Sequence, residues 1–167
     1  MHLLTSFDPI LDQNTELIIL GTMPGMLSLN QNEYYADPRN QFWQILYSVF
    51  DYKIESTYAQ RIQFLKKHRI GLWDVLNHCN RKGSLDSNIK NEKPNDFDQL
   101  LKDYPNIKFI VFNGTKSQNL FKKHVKSSGN ENIIFKQLPS TSPTPGRYVK
   151  ILDKKIEEWK IIKNCIG

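Results

Sequence analysis

Leu17-Ile18-Ile19-Leu20-Gly21-Thr22-Met23-Pro24-Gly25-Met26-Leu27-Ser28, then Tyr34-Tyr35-Ala36-Asp37-Pro38-Arg39-Asn40-Gln41-Phe42-Trp43, is the stretch that decides the fold. An aliphatic run that breaks at a glycine and turns through Pro24-Gly25 reads as a buried strand delivering a loop to one edge of a sheet. Open α/β sheets bind ligands in the crevice at the carboxyl ends of such strands. The loop then runs for about twenty residues without a helical period, a length that in a compact domain usually marks function. It carries two tyrosines, an arginine and an amide, so the active site is expected here.

Outward from this stretch, strands alternate with helices. Phe42, Trp43, Ile45, Leu46, Val49 and Phe50 recur at helical spacing, and a second helix is predicted over Thr57 to Lys67. Ile70 to Leu76 reads as a second strand, and the polar run Asn77 to Lys93 as a loop. Pro94 is placed near the start of a helix that Pro105 stops. Phe109 to Phe112 is a third strand ended by Asn113-Gly114, Lys116 to Lys126 a helix, and Ile133 to Leu138 a fourth strand. The loop Pro139 to Gly146 leads into one last helix, where Val149, Leu152, Ile156, Trp159, Ile162 and Ile166 form a core stripe. This alternation predicts a three-layer α/β sandwich with a central four-stranded parallel sheet flanked by helices.

The 167 residues fit a single domain over 1–167, with enough chain for a core that needs neither disulfides nor metals. Lys plus Arg number 23 against 17 Asp plus Glu, a net charge of +6, which favours a polyanionic partner, nucleic acid above all. The two cysteines, Cys79 and Cys165, make no metal-binding spacing and fit a reducing cytoplasm. Neither do His2, His68, His78 and His124 suggest a metal, and no cofactor is expected. The N-terminus does not read as a signal peptide, and no apolar run is long enough to span a bilayer. A monomer acting in the bacterial cytoplasm or nucleoid is the expectation.

Gly21-Thr22-Met23-Pro24-Gly25 with Tyr34 to Trp43 resembles the first motif of the uracil-DNA glycosylase superfamily, and is most similar to the branch that removes hypoxanthine from deoxyinosine. Gly71 to Leu76, Gly83-Ser84-Leu85-Asp86-Ser87 and Leu138 to Pro143 resemble later segments of that branch in the same order. The resemblance implies a monofunctional DNA glycosylase that flips a deaminated base out of DNA and leaves an abasic site without a cofactor. A uracil glycosylase is the alternative within that class. A nucleic-acid-binding module that has lost the chemistry is the alternative outside it.

Residue by residue, the resemblance makes Asn40 the catalytic amide that holds water; the alternative is the N-cap of the helix that follows, where asparagine is also favoured. Thr22, Met23, Tyr35 and Asp74 would form the base pocket, with Tyr35 stacking on the base and Asp74 reading its edge. Met23 replaces the water-positioning asparagine of the mismatch-specific uracil branch, and Asp37 a common histidine. Ser140 and Ser142, on the loop that matches the second motif, would help expel the base. Arg39, Arg81, Lys82, Thr141 and Arg147 would contact the DNA backbone, as phosphate binding positions a protein without reading sequence. Lys122, Lys123, His124 and Lys126 offer a further basic run, which is more often a solvated face.

Overall fold

The computed structural model describes residues 3–125, 132–144 and 150–166. In chain order these form β1 (Leu3–Thr5), β2 (Leu17–Gly21), α1 (Met26–Gln31), α2 (Phe42–Val49), α3 (Tyr58–Lys67), β3 (Ile70–Asp74) and β4 (Leu76–Asn80). They continue with β5 (Lys90–Pro94), α4 (Phe97–Asp103), β6 (Phe109–Asn113), α5 (Thr115–His124), β7 (Ile134–Leu138), α6 (Leu152–Trp159) and α7 (Ile161–Cys165). The four expected strands build one parallel sheet in the order β3-β2-β6-β7.

β2 sits inside this sheet, and every one of its residues is buried. Successive side chains of a strand point to opposite faces, so Leu17 and Ile19 enter one apolar cluster while Ile18 and Leu20 enter another. The first cluster joins β2 to Phe42, Ile45 and Leu46 of α2, Leu65 of α3 and Trp159 and Ile162 of the C-terminal helices. The second joins it to Phe97, Leu100 and Leu101 of α4 and Leu120 of α5. A strand buried on both faces reads as a continuous aliphatic run, and this is why the sandwich is legible in the sequence.

Three expectations need correction. The polar stretch after Leu76 is no loop throughout: β4 and β5 pair antiparallel, and β1 joins β4 to complete a second, three-stranded sheet. Its strands carry Asn77, His78, Asn80 and Lys90 to Lys93 with no apolar alternation, so nothing in their pattern announces them. Pro94 closes β5 instead of opening the helix, and Asp96 caps α4 by accepting from Gln99 N–H at 3.0 Å. The last helix is broken at Lys160 into α6 and α7, although Trp159 and Ile162 both stay in the core as expected.

Candidate active site

The strand order turns one way from β2 to β3 and the other way to β6 and β7, so the topological switch lies between β2 and β6. Loops leaving adjacent strands on opposite sides of such a point open a crevice at their carboxyl ends. A cleft of about 1390 Å³ occupies that place, with Gly21, Asn40, Asp74, Asn113, Ser140 and Lys155 among its lining. A second hollow of about 460 Å³ lies at the opposite, amino ends of the strands around Glu16 and Lys108, away from all the motif loops.

β2 and β3 run in register so that Gly21 faces Asp74 at their carboxyl ends. A methyl group on Gly21 would stand 2.7 Å from Asp74 Oδ1 and 3.2 Å from the Tyr35 hydroxyl, so only glycine lets both side chains close on this point. Asp74 is buried, and its Oδ2 has no hydrogen-bond partner among the described residues. Burial, with a smaller contribution from the Asp86 carboxylate and against the pull of Arg81, pushes its carboxyl up to about 7. Burial likewise raises Asp86, opposed by Arg81 and by a hydrogen bond from Thr22. Thr22 and Met23 are both buried and line the cleft beside this pair.

Tyr35 is held in the left-handed region with φ of 54°, a conformation that costs an ordinary side chain about 1–3 kcal/mol and persists only where the surroundings enforce it. Two contacts enforce it here. Phe42 stacks on the ring at 3.9 Å between centroids, and Asn113 Nδ2 donates to the phenol oxygen at 3.1 Å. Asn113 also donates to Thr141 Oγ1 at 3.0 Å and accepts from Thr141 N–H at 2.9 Å, while Thr141 C=O accepts from Gln41 N–H at 3.0 Å. The loops from β2, β6 and β7 are thus fastened to each other directly behind Asn40.

Asn40 lines the cleft, and its Oδ1 accepts from Phe42 N–H at 2.9 Å at the start of α2. The N-cap of α2 is Gln41, without a side-chain cap bond, so Asn40 does not take the capping role that the sequence also allows; its bond to Phe42 N–H fixes the plane of the amide one residue before the helix. One lone pair of Oδ1 and both Nδ2 hydrogens remain for another partner, since an amide offers four hydrogen-bonding positions.

Two residues expected on the DNA backbone are placed elsewhere. Arg81 is buried at 3 % exposure, with Nε donating to Gly83 C=O and Nη2 to Pro24 C=O, both at 2.7 Å. It ties the Gly83–Ser84 turn to the Pro24–Gly25 turn, where Ser84 Oγ accepts from Met26 N–H at 2.9 Å, and presents no face to phosphate. Thr141 is buried too, its hydroxyl and N–H taken by Asn113. Arg39 and Lys82 are exposed, although Arg39 already engages both oxygens of Asp37. Those bonds hold the Asp37 carboxyl below its usual range. Ser140 is exposed with Oγ accepting from Ser142 N–H at 3.1 Å, and Ser142 Oγ accepts from Thr144 N–H at 3.2 Å. Arg147 lies outside the described residues. Lys123 and His124 both bind Glu92, as a solvated structural face would.

Sequence reasoning misses three contributors to the cleft. Asn113 reads in the sequence only as a strand end, yet it is the hub of the network; a polar amide closing an apolar strand at the carboxyl edge is the available signal. Gly114 adopts φ of 94°, and a methyl there would lie 3.0 Å from Ser140 Cβ, so the turn that brings the serine loop close needs glycine. Lys155 falls on the apolar stripe of α6, three residues after Leu152 and four before Trp159, and a lysine on a core stripe is rarely decorative.

Comparison with known proteins agrees with this geometry. The family model of the uracil DNA glycosylase superfamily matches residues 9–163. A protein of Methanosarcina barkeri named hypoxanthine DNA glycosylase is 43% identical over 131 residues, covering 77% of this chain and 82% of its own. One of the same name from Methanosarcina acetivorans is 35% identical over 157 residues, covering 93% and 95%. A Methanosarcina acetivorans protein solved by NMR superposes with a TM-score of 0.80 at 32% identity, covering 98% of this chain and 99% of that one. The family match takes in the whole four-stranded sheet and every motif loop of the cleft, and the chain belongs to the uracil DNA glycosylase superfamily.

Proposed function

We propose that this protein is a DNA glycosylase that hydrolyses the N-glycosidic bond of deoxyinosine, releasing hypoxanthine and leaving an abasic site. The observation that carries the reading is the convergence, in one cleft, of a fixed amide (Asn40) and a buried carboxyl with a partnerless oxygen (Asp74). The two relatives named hypoxanthine DNA glycosylase support the choice of base. So does Met23, a buried apolar side chain that can hold no water where the mismatch-specific uracil branch carries an asparagine.

Glycosidic hydrolysis needs a flipped nucleotide, a water below the sugar and a place for the electron pair that leaves with the base. Asn40 accepts from and donates to the water that attacks C1′, while the water's proton passes to solvent. As the C1′–N9 bond breaks, its electrons spread onto the base. Asp74 in its neutral form offers one O–H donor and one C=O acceptor, the complement of O6 and N1–H on hypoxanthine. An ionised Asp74 would accept from N1–H but repel O6, so the protonated acid is the better partner for both ground state and leaving group. Tyr35 packs against the base, and Ser140 and Ser142 hold the flanking backbone. Arg39, Lys82 and Arg147 supply further backbone contacts. The proposal includes action as a monomer, as one domain over residues 1–167, in the cytoplasm where the DNA is.

The test uses duplexes carrying one deoxyinosine, one deoxyuridine or neither, incubated with protein and then treated with alkali to cut abasic sites. Cleavage of the deoxyinosine duplex well above the deoxyuridine one is expected. Preference for deoxyuridine would replace the substrate, and cleavage of neither would replace the enzyme with a binding module.

A further inference from the structure

Among the described residues Lys155 is the one buried lysine, at 2 % exposure, and it lines the cleft. Its Nζ donates to Gln41 Oε1 at 2.9 Å and to Ser142 C=O at 3.5 Å, both neutral acceptors. Among the described residues no carboxylate lies within ion-pair distance. The nearest candidate along the helix, Glu158, binds Lys150 instead through both oxygens, at 2.6 and 2.7 Å. Burial lowers the pKa of Lys155 without any opposing charge to restore it.

A buried ammonium held only by an amide and a carbonyl is expensive, and proteins bury such charges paired or for use. Its neighbours say what use. Ser140 offers a hydroxyl hydrogen on the loop above, Ser142 Oγ gives its own to Thr144 Oγ1 at 3.0 Å, Gln41 follows Asn40 directly, and the cleft opens on the same side. Cation, the Ser140 hydroxyl and amide together fit a tetrahedral oxyanion in place of a base edge, and a DNA substrate carries one phosphate for each nucleotide.

We propose that Lys155 is the cation that receives a DNA phosphate at the Ser140–Ser142 loop, next to the flipped nucleotide. Because its other bonds run to Gln41 and Ser142, phosphate binding there also draws together the two loops that carry Asn40 and the serines. The inference rests on the glycosylase reading, which supplies the DNA. It makes Lys155 a positioning residue, since it touches backbone and not the reacting bond.

The experiment compares wild type with Lys155→Met, Lys155→Gln and Lys155→Arg. Binding of a fluorescein-labelled duplex, undamaged or carrying one deoxyinosine, is followed by anisotropy from about 50 to 200 mM salt, and thermal unfolding is recorded for each protein. Removal of a charge-assisted contact predicts about tenfold or more weaker binding of both duplexes in the Met and Gln variants. The slope of log affinity against log salt becomes shallower by about 0.9, one phosphate's worth, and Lys155→Arg keeps the wild-type slope. Lys155→Met melts no lower than wild type, because an apolar side chain replaces an unpaired buried charge. A purely structural clamp would behave differently: Met would melt lower while the salt slope stayed unchanged, and that result overturns the proposal. Should Met fail to fold, the Gln variant, which keeps donors for Gln41 and Ser142, decides the slope alone. A wild type that cuts deoxyinosine DNA while all slopes agree overturns the lysine assignment by itself. A wild type that neither binds nor cuts DNA overturns the glycosylase reading and the lysine with it.

Discussion

Replacing Asp74 with asparagine tests the protonation state on which base reading depends. The Asp74 carboxyl titrates near 7 in the folded protein against an ordinary value of 3.8, chiefly because burial disfavours its charge. A carboxyl raised in this way makes the folded state bind more protons than the unfolded one, so stability is greatest at low pH and falls as pH rises from about 4 to about 7. Raising a pKa tenfold in proton affinity corresponds to about 1.4 kcal/mol, which puts the full cost of ionised Asp74 at about 4 kcal/mol above neutrality. Part of that cost is already felt at pH 5. Asp74→Asn removes the titration while keeping shape, so it should stabilise the protein by about 3 kcal/mol more at pH 8.5 than at pH 5. Denaturant unfolding of both proteins at the two pH values measures this directly. The single-turnover rate gives a second reading: if the neutral acid is the reader, the wild-type rate on deoxyinosine DNA falls about 100-fold between pH 6 and 9, as the protonated fraction does. Asparagine also carries a donor and an acceptor, and its rate should stay level and exceed wild type at pH 9. A wild-type rate that is flat from pH 6 to 9, or an Asn stabilisation that is the same at both pH values, would refute the assignment of a neutral acid.

Asn40→Ala should lower single-turnover cleavage by orders of magnitude while costing only about 1 kcal/mol of stability through the lost hydrogen bond from Phe42 N–H; a rate within a few-fold of wild type removes Asn40 from the chemistry. Gly21→Ala places a methyl 2.7 Å from Asp74 Oδ1, and should cost about 1–3 kcal/mol in unfolding experiments and most of the cleavage rate by displacing that carboxyl. An active Gly21→Ala enzyme would show that the base does not seat against Asp74.

What the sequence makes legible follows from what a one-dimensional pattern can carry. β2 can be read because both its faces are buried, which leaves an unbroken aliphatic run, and Gly21 because it breaks that run. Asn40, Tyr35 and Asp74 stand out through the motifs, and the fold brings all three to one cleft. Burial of polar residues is not legible. Arg81, in a basic and glycine-bearing stretch, reads as a phosphate contact; only the fold shows it buried, with Nε and Nη2 tied to two backbone carbonyls. Thr141 misleads for the same reason, since a hydroxyl in a Ser-Thr-Ser loop gives no sign of which member turns inward toward Asn113. The second sheet is hidden because β5 consists of Lys90 to Pro94 and buries no large side chain.

Among the described residues the buried charged side chains are Asp74, Arg81 and Lys155: Asp74 closes β3, Arg81 binds the loop that leaves β2, and Lys155 the loop that leaves β7. The two buried side-chain atoms without partners among the described residues, Asp74 Oδ2 and Arg81 Nη1, belong to that same group. Random placement of rare buried charge would not gather it at one edge of the sheet, and stability does not explain it, because apolar replacements of buried charges are often neutral or stabilising. The apolar clusters on the two faces supply the folding free energy, and the loop edge spends part of it on fixed dipoles and on Asp74 and Lys155, which line the cleft, while Arg81 ties two of its turns together. Such groups act on a substrate without reorganising when it arrives, which is the condition under which electrostatics contributes most to a reaction. The arrangement therefore predicts different responses to one kind of change: neutral substitutions at Asp74 and Lys155 keep or raise stability while altering recognition, whereas substitutions in the β2 core lower stability and leave recognition to fail only with the fold.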